Sequence, residues 1–331
     1  MIQNLIAWVI RAIPFGTIIM YGSMGETVTE KSGHLNLGVP GIMYLGGFAG
    51  FTSAYFYEHN AAAPSALVCV LLSLVCAFLA AMLGGLIYAF LTITLRANQN
   101  VTGLALTTFG MGVANFGGVF LLNGASYTAA PLAFSAYSTK VIPGWDKAGV
   151  FGEMFLSYGF LVYAAILLAV GMHFFLAKTR VGLNLRAIGE SPATADAAGI
   201  HVTKYKYLAT CFGAGISGIG GLYYVLDYNR GIWATTGQIE ALGWLAVALV
   251  IFTTWRPLNG IWGAYLFGML YWLYQFLPSL LGITISNYAI DLVQMIPYVV
   301  TIVVLIVVSL RKKRENQPPA SLGIAYYRED R

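Results

Sequence analysis

The sequence predicts an all-α protein, a polytopic membrane helix bundle of about nine transmembrane helices, on three observations. Apolar residues make up 58% of its 331 residues and charged residues only 9%, and the mean hydropathy is +0.73. A soluble domain carries about 25% charged residues, so these charges are too few to cover a water-facing surface and lipid is the natural solvent. Mostly apolar runs of about 20 residues, the length a helix needs to cross a bilayer, recur along the chain. Lysine and arginine fall unevenly on the connections between those runs.

In order, the runs cover 5–24, 36–57, 65–95, 101–122, 155–177, 205–228, 240–255, 258–278 and 289–310. The run 65–95 is long; it either tilts or breaks near Gly84-Gly85, so the expected number of helices ranges from eight to ten. With the C-terminus in the cytoplasm, the inner connections are those near Glu26–Lys31, Arg96–Asn100 and Lys178–Lys206, at Arg256, and in the tail. They hold fourteen of the eighteen lysines and arginines, leaving Arg11, Lys140, Lys147 and Arg230 outside. This is the cytoplasmic bias of a multi-pass protein, and nine spans then place the N-terminus outside. The block Arg311-Lys312-Lys313-Arg314 directly follows an apolar run. It reads as a cytoplasmic anchor, and no nucleic-acid partner is expected. The first run has no basic stretch before it and is interrupted by Arg11, so it is not expected to be a cleavable signal. Residues 1–310 are thus expected to form a single transmembrane domain, with an external loop at 123–154 and a cytoplasmic segment at 178–204, followed by a cytoplasmic tail at 311–331.

The cytoplasmic segment is not hydrophobic, yet it contains helix-forming pieces. Ser191 is a suitable N-cap, Pro192 suits the first helical turn, and Gly199 a C-cap. A short helix of about two turns across the inner face follows, and docking to a partner is one reason for such a helix to be ordered. The cluster from Gly213 to Gly221 places small residues on several faces of one span, which in lipid means close helix packing. The pattern G-x-x-x-x-G-K-[ST] is absent, so the chain has no phosphate loop of that kind. Cys69, Cys76 and Cys211 lie in apolar runs and read as packing residues, without disulfide or metal. His34, His59, His173 and His201 stand near span ends and are not grouped as a catalytic or metal site.

The acids Asp227, Glu240 and Asp291 also lie near span ends, leaving the middle of the spans nearly free of charge. Ion-coupled carriers usually place ionisable groups deep in the membrane, so an outside energy source and an uncharged solute are expected. Neutral polar residues within the spans are Asn36, Thr107, Thr108, Asn115, Gln275 and Gln294, with the aromatics Phe109, Trp244, Tyr271 and Trp272. Together they offer stacking and hydrogen bonding, as a nucleoside requires, although helix packing is an alternative role for each. Asn36, Phe109, Asn115, Trp244 and Gln275 are the candidates for the translocation pathway. Asn36 leads, because it stands at a glycine-rich helix start.

Several blocks resemble the permease subunits of bacterial ABC importers of the branched-chain amino acid, ribose and nucleoside superfamily. The first runs Glu30-Lys31-Ser32-Gly33-His34-Leu35-Asn36-Leu37-Gly38-Val39-Pro40-Gly41-Ile42-Met43. Others are Leu95 to Leu106, Gly182 to Pro192 continuing to Ile200, Gly243 to Phe252, and Met295-Ile296-Pro297-Tyr298, with Pro319 to Gly323 in the tail. They follow the expected order over nearly the whole chain and are most similar to the smaller nucleoside (simple-sugar-type) permease. The chain departs at Pro40, where the family usually has Glu, and at Leu242, where Arg is common. The resemblance implies a non-catalytic subunit of the bacterial cytoplasmic membrane, with ATP and Mg bound by a separate ATP-binding cassette ATPase and no cofactor in this chain. It also implies a second, homologous permease as a heterodimer partner and an external solute-binding lipoprotein. The segment from Glu190 to Ile200 corresponds to the family's coupling helix, so Glu190, Asp196, Ala197, Ala198 and Gly199 are expected in a groove of the ATPase. The expected solute is a nucleoside. Ribose-like sugars and branched-chain amino acids are alternatives, as is a secondary carrier or channel.

Overall fold

The computed structural model describes residues 2–121, 128–233, 237–281, 292–293, 295–311 and 317–327. Each apolar run forms a helix. The first is α1, Ile2–Lys31; α2 is Val39–Asn60, and α3 is Ala66–Ala89, continuing without a break as a π-helical turn to Thr94. The long run is therefore one span, because Gly84 and Gly85 serve as packing surface: a Cβ on Gly85 would meet Ala214 at 2.4 Å. The next helix, α4, is Gln99–Leu121. Further along come α7, Phe160–Lys178, and α10, Val202–Tyr223, which continues as a π turn to Tyr228. They are followed by α11, Gln238–Phe252, α12, Pro257–Leu281, and α13, Ile296–Arg311. The start of the expected span 289–310, with Asp291 and Gln294, lies outside the described residues, as do Lys312, Lys313 and Arg314.

Among the described residues, five helices are long and apolar enough to cross a membrane: Gln3–Lys31, Ala66–Thr94, Gln99–Leu121, Phe160–Lys178 and Val202–Tyr228. Their outward faces are apolar. On α3 the residues Leu67, Leu71, Val75, Leu79, Leu83 and Leu86 are all exposed at roughly helical spacing. In water such a stripe would be an aggregation surface; in a bilayer it is the lipid face. By contrast α2 lies at the centre, packed against α3, α4, α10 and α11. Its close neighbours explain its glycines. A Cβ on Gly46 would lie 2.4 Å from Gly218 Cα, and one on Gly25 would lie 2.2 Å from the Gly213 carbonyl oxygen. At these two crossings the backbones of α10, α2 and α1 are in contact, as the glycine cluster predicts.

Two expectations need correction. The connection Glu26–Lys31 is the end of α1, not a surface loop, and Glu26 and Glu30 are each only 1% exposed. The buried stripe Met20, Met24 and Val28 runs on through this stretch, so packing carries the helix further than hydropathy alone indicates. The segment 123–154, read as an external loop, is largely folded where it is described. It contains α5, Pro131–Ser138, a 3₁₀ turn at Trp145–Ala148, and α6, Gly149–Phe155. The Glu58 carboxylate accepts the Leu132 and Ala133 N–H groups at 3.0 and 3.3 Å, capping the start of α5. Strand β1, Thr128–Ala129, pairs antiparallel with β2, Ile232–Trp233, and closes this end of the bundle.

Candidate functional site

At the opposite end, Lys31, Arg96, Lys178, Arg186, Lys204 and Arg256 gather around two short helices. The first, α8, is Arg180–Glu190; the Thr179 hydroxyl accepts the Gly182 N–H, and Leu185 and Ile188 are buried against the bundle. The second, α9, is Pro192–Ala197. Ser191 Oγ accepts the Thr194 N–H at 3.3 Å, and Pro192 fills the first turn. At the far end the Ile200 N–H reaches the Ala195 carbonyl and the Gly199 N–H reaches the Asp196 carbonyl, each at 3.0 Å. This double closure requires a left-handed residue, and Gly199 supplies it at φ +84°. A Cβ there would meet nothing within 4 Å, so the glycine serves the turn and not the packing.

The coupling candidates divide by exposure. Glu190, Ala197, Ala198 and Gly199 are exposed, whereas Asp196 is half-buried and its carboxylate accepts the Tyr326 hydroxyl at 2.9 Å. Ala195 turns inward to join Ile188 and Val202 in a small core that Tyr326 also covers. The tail therefore returns across this end. The Ser321 N–H and hydroxyl both donate to the Gly189 carbonyl, at 2.9 and 2.7 Å, and the Gly323 N–H donates to the Gly33 carbonyl at 3.3 Å. The Arg96 guanidinium lies 4.4 Å from the Tyr327 ring centre. Nothing in the hydropathy pattern signals this return.

Behind these helices lies a buried polar group that sequence reasoning missed. Glu26 Oε1 accepts the Asn36 N–H at 2.8 Å, and Glu30 Oε2 accepts the Trp255 indole N–H. One face of α1 thus holds both the α1–α2 connection and the α11–α12 corner, where Thr254 and Trp255 each have φ 55°. The usable signal was the i, i+4 spacing of Glu26 and Glu30, which puts both carboxylates on one helix face. Both acids lie in the last turns of α1, at the end of that helix and not in its middle.

The pathway candidates do not converge. Asn36 is buried, and its Oδ1 accepts the Gly38 N–H at 2.8 Å, a local turn that starts α2. Phe109 is half exposed on the outer face of α4. Asn115 is half-buried, with its Oδ1 enclosed and unpartnered among the described residues. Trp244 is half-buried on α11. Gln275 is exposed on α12, where its Oε1 accepts from Arg11 Nη1 at 2.9 Å. Pro40 packs on Gly243, next to Leu242, so the two departures from the family pattern are neighbours in space.

Near Gln275, however, a group of aromatic rings joins α1, α10 and α12. Phe15 stacks on Tyr271 at 4.1 Å and meets Tyr228 edge-on at 6.3 Å. Tyr228 stacks with Tyr224, whose hydroxyl donates to Gln238 Oε1 at 2.8 Å. The Arg11 guanidinium lies 5.2 Å from the Trp272 ring centre. Of this group, the sequence reading named Tyr271, Trp272 and Gln275; Phe15, Tyr224 and Tyr228 come together only through the packing.

Lipid-facing apolar stripes, glycine-tight helix crossings and a small capped helix docked on a basic end define a multi-pass membrane protein built as a helical bundle. Comparison with known proteins makes this specific. Residues 9–307 match the family described as the branched-chain amino acid transport system, permease component, and the chain belongs to it. It is 33% identical to a putative glucose ABC transporter permease of Haloferax volcanii, over 77% of this chain and 72% of that one. It is 32% identical to a guanosine ABC transporter permease of Bacillus subtilis over 81% of each chain, and 29% identical to a nucleoside ABC transporter permease of Lactococcus lactis over 88% of each. No solved structure matches the chain. The protein is thus the non-catalytic transmembrane permease subunit of an ABC importer; it binds no cofactor itself and works with an ATPase and a solute-binding protein.

Proposed function

We propose that this chain pairs with a second, homologous permease to form a nucleoside pathway, with its tail and α9 on the cytoplasmic face. The observation that carries the solute assignment is the aromatic group of Phe15, Tyr224, Tyr228, Tyr271 and Trp272, bordered by Gln238, Gln275 and Arg11. Phe15 and Tyr224 are buried behind the partly exposed rings of Tyr228, Tyr271 and Trp272; those three would give a purine or pyrimidine base a stacking surface, and the amides would give ribose hydroxyls hydrogen-bonding partners. The names of the guanosine and nucleoside relatives support the same reading. Trp244 would lie further along the path, between the rings and the basic end.

Coupling would pass through the exposed face of α9. Ala197, Ala198 and Gly199 form a small-residue surface with Glu190 beside it, suited to a groove in the ATPase. Asp196 would position the helix through Tyr326. ATP binding would close the ATPase pair, move α9, and rock the two permeases between outward and inward openings. The concentration of positive charge around α8 and α9 supports this orientation.

The test of the solute is uptake of labelled guanosine by proteoliposomes holding the assembled transporter. Unlabelled nucleosides should compete, while glucose and leucine should not. Competition by glucose with none by nucleosides would reverse the assignment in favour of a sugar, the reading that the Haloferax relative's name favours.

A further inference from the structure

The basic end contains a cavity of about 730 Å³ between the end of α3, the start of α10 and α9. Its polar lining includes His34, Arg96, Asp196, His201, Lys204 and Lys206. Among the described residues, two of these side chains are buried without a hydrogen-bond partner. Lys206 is 2% exposed and its Nζ has no hydrogen-bond partner; His34 is also 2% exposed, and neither ring nitrogen has one. Burying an ammonium without a counter-charge is strongly unfavourable, so Lys206, whose side chain borders the cavity, would be stabilised by an anion bound there. Among the described lining residues Asp196 is the acid; it accepts the Tyr326 hydroxyl, and Arg96, Lys204 and Lys206 outnumber it.

The surroundings indicate where the anion comes from. Arg96 follows the last turn of α3, and Lys206 stands in the first turns of α10, so both are at the depth of lipid headgroups. Directly along these two helices, Phe90, Leu208 and Phe212 are each at least half exposed and turn an apolar surface outward. We propose that this cavity binds the phosphate of an anionic phospholipid whose acyl chains lie against Phe90, Leu208 and Phe212. Basic pockets between helices at the cytoplasmic side suit such headgroups. Because Gly199 and Tyr326 share the lining, the lipid would also brace α9. The inference requires a membrane-embedded bundle and does not depend on the solute.

The test uses the full chain with its partner subunits in neutral detergent. Melting is followed while short-chain phosphatidylglycerol, short-chain phosphatidylcholine or inorganic phosphate is added, for the native protein, Lys206→Met and Arg96→Gln. Phosphatidylglycerol should raise the melting temperature, and phosphatidylcholine and phosphate should not. Each variant should need about fivefold more phosphatidylglycerol, as expected for removing one charge near a lipid phosphate. Without lipid, Lys206→Met should melt no lower than the native protein, because it removes an unpaired buried charge. Equal shifts with both lipids, an equal shift with inorganic phosphate, or a shift unchanged in the variants would each overturn the proposal. Arg96 is exposed, so Arg96→Gln keeps the test decisive if Lys206→Met does not fold.

Discussion

Glu26 and Glu30 lie about one turn apart on α1 and hold different parts of the chain, the Asn36 backbone and the Trp255 indole. Removing a donor from a buried carboxylate leaves it unsatisfied, at a cost of about 1–3 kcal/mol or more. Trp255→Phe should therefore lower the melting temperature in detergent, and adding Glu30→Leu to it should recover part of the loss. A double variant no more stable than Trp255→Phe alone would show that the bond is not the source of the effect. His34, in the α1–α2 connection, gives a pH prediction. Burial, with the Lys206 charge adding to it, holds its imidazole down to about 3 from an ordinary 6.5. The unfolded chain then binds the extra proton first. This contribution to stability is present above pH 6.5 and is lost as pH falls toward 3, by at most about 1.4 kcal/mol per unit. In neutral detergent the native protein should lose more stability between pH 7 and 5 than His34→Gln; identical pH profiles would contradict it. The sequence does not disclose these residues' environments. Glu26 and Glu30 adjoin Lys31 in a polar stretch that reads as a loop, and the packing of α10, α11 and α12 against α1 makes them interior. Asn36 stands out in the sequence for its place at a helix start, and what it visibly does there is accept the Gly38 N–H.

Among the elements, α9 was the most legible, because its limits depend on local chemistry alone. Ser191, Pro192 and Gly199 each perform the capping role that their residue type favours. The tail was not legible, since a strap held by Ser321, Gly323 and Tyr326 has no periodicity to read. The structure also refines how α9 should be probed. Any side chain at Gly199 strains its φ of +84°, which would confuse unfolding of the cap with loss of docking. Ala198 is exposed and its backbone is unstrained, so Ala198→Trp should leave melting within about 0.5 kcal/mol of native. It should also abolish uptake while the complex still hydrolyses ATP. Unimpaired uptake would remove α9 from the coupling path. Tyr326→Phe deletes one hydrogen bond to Asp196 and should cost about 0.5–1.5 kcal/mol. Its uptake per ATP hydrolysed should fall, and an unchanged ratio would show that the tail does not position α9.

For the whole molecule, composition was enough to predict the bundle, and the glycine cluster was enough to predict its tight crossings. Which helices cross was not, because backbone contacts such as Gly46 with Gly218 are set by the assembled fold. Gly218→Val would force α3 from α10, since a Cβ there would lie 2.2 Å from Ala81 Cβ; overpacking of this kind costs about 1–3 kcal/mol and should yield a chain that inserts but melts early. Glu26 and Glu30 place two ionisable side chains in the buried end of α1, so composition does not exclude ion coupling. That the transporter is driven from outside rests on family membership and on the docking surface proposed at α9. The most direct measurement of that claim is guanosine accumulation in proteoliposomes containing the complete complex, with ATP supplied only on the side that α9 faces. The account predicts accumulation above the equilibrium level with ATP, none without it, and none for Ala198→Trp. Accumulation driven by a proton or sodium gradient in the absence of ATP would contradict it.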